Sequence, residues 1–213
     1  MTDPRPVLYS FRRCPYAMRA RLAIAVSGQQ VILREIVLRD KAPAFLDRFP
    51  TGTVPGLLLP DGRTIPESLD IMHWALDRND PETWRVGDAH ERELIAAADG
   101  PFKTALDHYK YASRHPEINV EEQRDTGLAY LKTLEPRLSP NLLGKSTRLA
   151  DMAILPFVRQ FAHVDINWFR SQPIPQVIAW LDSFLASTQF AAIMQKYPKW
   201  RTGDAVTLFP DPG

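Results

Sequence analysis

Cysteine is nearly missing from this chain: a single thiol, Cys14, stands in 213 residues. One cysteine forms no internal disulfide and supplies only half of a dithiol pair. That excludes both a disulfide framework and a two-cysteine redox cycle within the chain. An excess of charge of one sign is missing too. Lys and Arg number 26 against 25 Asp and Glu, a net charge of +1, without the basic excess of a nucleic-acid-binding surface. No apolar run reaches the roughly 18 residues a membrane span needs, and Met1-Thr2-Asp3-Pro4-Arg5-Pro6 has no apolar signal-peptide core. These absences lead to the expectation of a cytoplasmic protein with no nucleic acid and no membrane among its partners. His73, His90, His108, His115 and His163 show no paired metal-ligand spacing, so no metal is expected.

What is present is enough apolar material for a core, at 45% hydrophobic residues, in two halves of different grammar. In the first, Val7–Phe11 reads as a strand. Pro15 fits the first turn of a helix, where its missing N–H costs nothing, and helix formers follow to Val26, with Gly28 as the stop. Val31–Leu38 returns to strand character, and a short helix is expected over Ala42–Arg48. Val54–Leu59 is a further strand, and Asp61-Gly62 is a hairpin turn into Arg63-Thr64-Ile65. A helix starts near Ser68. The order is βαβ, a link, then ββα. Asn79-Asp80-Pro81-Glu82 reads as a linker. Beyond it strand signals nearly vanish, and long helices are expected over His90–Ser113 (kinked or split at Gly100-Pro101), Val120–Leu138, Leu149–His163 and Gln176–Ala186. The expected organisation is an α/β domain over 1–79, a linker over 80–87 and an all-helical domain over 88–213.

Cys14 falls between the first strand and the first helix, in Arg12-Arg13-Cys14-Pro15-Tyr16-Ala17. A helix N-terminus with cations nearby stabilises a thiolate, and lowering a thiol's pKa by roughly two units from about 8.5 makes the thiolate the major form at pH 7. The competing reading is a small buried hydrophobe, the usual fate of an unpaired cysteine. Thr53-Val54-Pro55 precedes a strand and suits a cis proline at the start of a hairpin. Glu67-Ser68 stands just before a helix, where a serine can cap and unpaired N–H groups can receive an anion.

Cys14-Pro15-Tyr16-Ala17 is similar to the glutaredoxin-type redox tetrapeptide, with alanine in place of a second cysteine. Together with Val54-Pro55, Glu67-Ser68 and the α/β-then-helical order, it resembles the cytosolic glutathione transferases, most of all the omega class and its bacterial relatives. Leu143-Gly144 followed by Leu149-Ala150-Asp151 is similar to that family's helical-domain capping motif. Arg148 stands where the family has Ser or Thr, and Thr147 is the alternative cap. The resemblance implies a thioredoxin-like (glutaredoxin-like) domain followed by an all-helical domain, with glutathione as co-substrate and a small-molecule or mixed-disulfide acceptor. It also implies a homodimer. Cys14 would be the sulfur centre, with Tyr16 beside it. The Val54 backbone would pair with the cysteinyl part of glutathione, with Thr53 beside it in the site and Pro55 holding that loop in shape; Glu67 and Ser68 would grip the γ-glutamyl end and Lys41 the glycyl carboxylate.

An acceptor pocket is expected from Tyr16 with Phe102, Leu106 and Tyr109, which fall at helical spacing; such a stripe is otherwise core. Arg12 and Arg13 could stabilise the thiolate or stand in solvent, and Tyr9 or Ser10 could supply an activating hydroxyl in place of the thiol. Asp151 reads as a structural helix-start acid. Two chemistries remain open at this point, thiol transfer through Cys14 and conjugation of glutathione to an electrophile. So does a non-catalytic interaction module on the same fold.

Overall fold

Strand β1 (Val7–Ser10) ends in the Phe11–Cys14 connection, and Pro15 opens α1 (Pro15–Ser27) at its first position. Gly28 ends α1 at φ 68°, the left-handed conformation that glycine takes without cost. Strand β2 (Val31–Glu35) follows, then the short α2 (Pro43–Leu46), β3 (Gly56–Leu58), β4 (Thr64–Ile65) and α3 (Ser68–Leu76). The computed structural model describes residues 4–87 and 89–211. The N-terminal Met1-Thr2-Asp3 reading and the expected start of the second domain at Asp88 therefore lie outside the described residues. With β5 (Leu208–Phe209) at one edge, the strands form one mixed sheet in the order β4-β3-β1-β2-β5. β1 and β2 are parallel, with Leu8 opposite Leu33, while β3 pairs antiparallel with both β1 and β4. This is the thioredoxin-like ββα-on-βαβ arrangement that the element order predicts. α1 packs on α3, and Tyr9, Ile36, Phe45, Phe49 and Val54 form a core cluster from β1, α2 and the segments around them.

Gly56 is needed for contact: a Cβ there would lie 2.6 Å from the Phe49 ring. It thus lets β3 start directly beneath that aromatic.

The fifth strand differs from expectation. β5 (Leu208–Phe209) pairs antiparallel with β2, Val31 opposite Phe209. With α10 (Thr188–Ile193) it returns the segment 187–213 to the first unit, which comprises 1–82 and 187–213, while the second unit spans 83–186. The domain expected over 88–213 therefore ends at Ala186. A strand of two residues carries no periodicity, so its hydrogen bonds and the burial of Phe209, 1% exposed, define it instead. At the other end, Trp84 of the expected linker already belongs to the second unit: it is fully buried and its carbonyl accepts from Leu149 N at 2.8 Å.

The second unit is helical: α4 (Ala89–Ala97), α5 (Lys103–Lys110), α6 (Val120–Leu134), α7 (Leu149–Ala162), α8 (Ile166–Arg170) and α9 (Pro175–Ala186). Gly100-Pro101 neither splits nor ends the helix. Ala98–Phe102 forms a π-helical turn joining α4 to α5, a wider winding that accommodates a helical proline. α7 is buried along nearly its whole length, and Gly127 of α6 lets the Phe161 ring lie where a Cβ would overlap it. Arg148, not Thr147, is the N-cap of α7, and no side chain caps there. Asp151 supplies the helix start instead, accepting from Arg148 N at 2.8 Å and from Leu142 N at 2.9 Å. Arg148 is used differently, its guanidinium donating to the Thr83 carbonyl.

Candidate active site

Cys14 is the N-cap of α1, in an extended conformation (φ −74°, ψ 123°). Its N–H donates to Phe11 O at 3.0 Å and its carbonyl accepts from Met18 N at 2.9 Å, closing the first helical turn. The thiol points across to the loop before β3, with Sγ 3.5 Å from the Val54 carbonyl. The Val54–Pro55 peptide bond is cis, the form this sequence pattern suits.

A cavity of about 500 Å³ opens at this meeting point. Cys14 and Tyr16 line it from the start of α1, Leu38 and Lys41 from the β2–α2 connection, Gly52 to Pro55 from the α2–β3 connection, and Pro66, Glu67 and Ser68 from the turn into α3. The structure thus brings together Cys14, Tyr16, Lys41, Thr53, Val54, Pro55, Glu67 and Ser68, which the sequence places across more than fifty positions. Leu38, Gly52 and Pro66 join them without having been anticipated. Gly52, at φ 63°, leaves room that the Lys41 side chain fills: a Cβ there would stand 3.0 Å from Nζ. Glu67 is the N-cap of α3 and Ser68 its first residue, and both line the cavity, so the α3 N-terminus stands at this wall, where helix-start N–H groups can receive an anion. The lining offers a thiol, an ammonium, a carboxylate, a hydroxyl and a helix N-terminus, a set suited to a small zwitterionic, sulfur-bearing molecule.

The alternatives to Cys14 point elsewhere. Tyr9 is 1% exposed and packs among Phe45, Phe49 and Trp200, and its hydroxyl accepts from Arg34 at 2.6 Å. Ser10 is fully buried and its hydroxyl accepts from Arg21. Neither lines the cavity. Arg13 is exposed, its guanidinium 5.8 Å from the Phe11 ring centre. Arg12 contributes its backbone: its N–H donates to Glu35 Oε1 at 2.6 Å and its carbonyl accepts from Arg21 Nη2 at 2.6 Å. Burial lowers the pKa of Arg21 to about 10, and its interactions with Glu35 and Cys14 oppose that shift. Burial also pushes the Glu35 carboxyl up, against the Arg12 N–H and the Arg21 charge. Sequence reasoning missed both residues. The available signal was a pair of arginines, Arg19 and Arg21, inside an otherwise apolar helix.

Of the expected acceptor wall, Tyr16 lines the cavity, with the Arg19 guanidinium 5.5 Å from its ring centre. Phe102 and Leu106 are fully buried in the helical unit. Phe102 stacks on Tyr130 at 4.5 Å and faces Phe161 at 5.6 Å, so these two side chains are core and offer no surface to an acceptor. Tyr109 is half-buried beside Phe161 and Trp168. Among the described residues no cluster of three or more His, Cys, Asp or Glu could hold a metal ion, and no helix is long and apolar enough to cross a membrane.

The family model for the N-terminal domain of glutathione S-transferases matches residues 8–84, the segment that carries every wall of this cavity. Similarity extends beyond that segment. The probable glutathione S-transferase parA of Nicotiana tabacum is 25% identical over 198 residues, 88% of each chain. The solved structure of glutathione transferase Omega 3C from Trametes versicolor matches at a TM-score of 0.76 and 22% identity, over 91% of this chain and 85% of that one. A glutathione transferase family member from Pseudomonas fluorescens, solved with two glutathione molecules bound, matches at a TM-score of 0.73 and 19% identity, over 90% and 92%. The chain as a whole has the glutathione transferase fold.

Proposed function

We propose that this protein is a glutathione transferase of omega-like type, in which Cys14 acts as the nucleophile of a monothiol exchange. One observation carries the reading: a thiol at a helix N-cap shares a single cavity with Lys41, Val54, Glu67 and Ser68. The relatives named glutathione S-transferase, and the glutathione held by the fold neighbour, support the same ligand here. The γ-glutamyl carboxylate lies against Ser68 and the α3 N-terminus and its ammonium against Glu67, Lys41 takes the glycyl carboxylate, and the Val54 backbone takes the cysteinyl part as a strand-edge contact.

With a mixed disulfide of glutathione as substrate, the Cys14 thiolate attacks the glutathionyl sulfur. A Cys14–glutathione disulfide forms, and the other thiolate leaves and takes a proton from water. A second glutathione, as thiolate, attacks that disulfide at the glutathionyl sulfur, giving oxidised glutathione and restoring the Cys14 thiolate. The second step is obligatory, because the chain has no other cysteine to resolve the first.

Calorimetric titration together with Cys14→Ser tests this. Glutathione is expected to bind both proteins, while exchange with a mixed disulfide is lost in the variant. Undiminished exchange would sink the monothiol mechanism, and conjugation rising in the variant would assign the site to hydroxyl-assisted transfer. No binding at millimolar glutathione would favour the non-catalytic module. The homodimer implied by the family resemblance is tested by sedimentation.

A further inference from the structure

The cavity accounts for Cys14 from its solvent side only. Behind it, on the inner side of the Phe11–Cys14 connection, stands a buried cation and a buried anion that the exchange chemistry does not use. Arg21, two turns along α1, is 1% exposed, and Glu35 at the end of β2 is 8% exposed. Both close on one peptide segment. Arg21 Nη2 donates to the Arg12 carbonyl and Glu35 Oε1 accepts from the Arg12 N–H, each at 2.6 Å, while Arg21 Nη1 ties the same guanidinium to Ser10 at the end of β1. Two residues further on, Cys14 takes its cap conformation. The arrangement is expensive for a fold. A guanidinium and a carboxylate lose their hydration here, while Glu35 Oε2 and Arg21 Nε find no hydrogen-bond partner among the described residues. Apolar side chains of similar volume usually fill such a space at no loss of stability.

We infer that Arg21 and Glu35 are positioning residues for Cys14: they grip the Arg12 backbone from both sides, hold the helix start that carries the thiol, and set the charge balance behind it. This deepens the reading of Cys14 as the reacting thiol and rests on it. The charged and titratable groups facing Arg21 come from three directions: Glu35 from β2, Cys14 and Arg12 from the β1–α1 connection, and Tyr197 from the C-terminal segment. Within that set the guanidinium is a buried cation bonded to the Arg12 carbonyl, two residues before Cys14, and a cation near a thiolate favours it. Glu35 offsets part of that field. The two residues therefore act on Cys14 with opposite sign, although both hold the same loop.

The test is the rate of Cys14 alkylation by iodoacetamide as a function of pH, on the full chain, with circular dichroism as the check on folding. Arg21→Met is expected to move the midpoint of the profile to higher pH and to slow alkylation at pH 7 by about tenfold. Glu35→Gln, which retains an oxygen for the Arg12 N–H, is expected to move the midpoint the other way. If Arg21→Met fails to fold because Glu35 is left without its counter-charge, the double variant Arg21→Met/Glu35→Gln carries the test, with a midpoint expected above that of Glu35→Gln alone. No shift on removing Arg21, or shifts of the same sign from both single variants, would overturn the inference; the latter pattern is what loss of structure alone produces. Iodoacetamide needs no glutathione. Failure of glutathione to bind the wild-type protein would therefore strike the proposed function and leave this readout intact, and an unmoved profile with binding preserved would strike only the clamp.

Discussion

At the scale of single residues, the cavity sets a thiol beside the groups proposed to hold a ligand against it. Lys41 reaches over Gly52 into the cavity, so Lys41→Ala removes a charge and is expected to weaken glutathione binding about tenfold, roughly 1.4 kcal/mol. Glu67→Gln is expected to do the same through the ligand's ammonium. Both losses should appear in calorimetric Kd values, with the alkylation rate of Cys14 unchanged. Most of the residues that line the cavity were legible in the sequence because they stand in short local patterns: Cys-Pro at a helix start, Val-Pro before a strand, Glu-Ser at a helix start. Arg21 and Glu35 were less legible. Two arginines inside an otherwise apolar helix hint at burial, but what Arg21 is buried against depends on which strand later covers it. Phe102 and Leu106 illustrate the opposite case. Their helical spacing was real, but the same spacing serves a core stripe, and Tyr130 and Phe161 occupy the face expected to meet an acceptor.

At the scale of elements, the Asp151 carboxylate ties the start of α7 to Arg148 N and Leu142 N. Burial pushes this carboxyl up to about 6, although two backbone N–H groups donate to it. The unfolded chain releases the same proton near about pH 4. Between these values the folded protein binds the extra proton, so the stabilisation from this group is complete below about pH 4 and is lost as the pH rises through about 6. Asp151→Asn is expected to remove that slope, up to about 3 kcal/mol, from the pH dependence of urea unfolding. Packing between α6 and α7 gives a second expectation at this scale. Gly127→Ala forces the Phe161 ring aside and should cost about 1–3 kcal/mol, read as a lower urea midpoint with an unchanged slope. The long helices were legible because apolar periodicity survives over three or more turns. α8, α10 and β5, of five, six and two residues, are too short for periodicity to register.

At the scale of the whole molecule, the chain leaves the thioredoxin-like unit at Glu82, builds the helical unit, and comes back. The returning segment lays β5 along β2 and sets Trp200 over Arg34, with the guanidinium 4.1 Å from the indole centre and the Trp200 N–H donating to Glu35 O at 2.9 Å. It therefore helps hold the strand that carries Glu35. Phe209→Ala, at a site 1% exposed, is expected to cost about 3 kcal/mol and to lower Tm by roughly 10 °C, measured by calorimetry. The division into an α/β and a helical half was legible from the change of grammar near residue 80, but the return was not, because the order of elements says nothing about which sheet edge a late segment seeks. The account as a whole turns on one thiol, and the intact mass of the protein tests it most directly. After incubation with oxidised glutathione, a single glutathionyl group should be found on Cys14, should be removed by reduced glutathione, and should be absent from Cys14→Ser. A Cys14 that reacts readily with iodoacetamide yet takes up no glutathionyl group would contradict it.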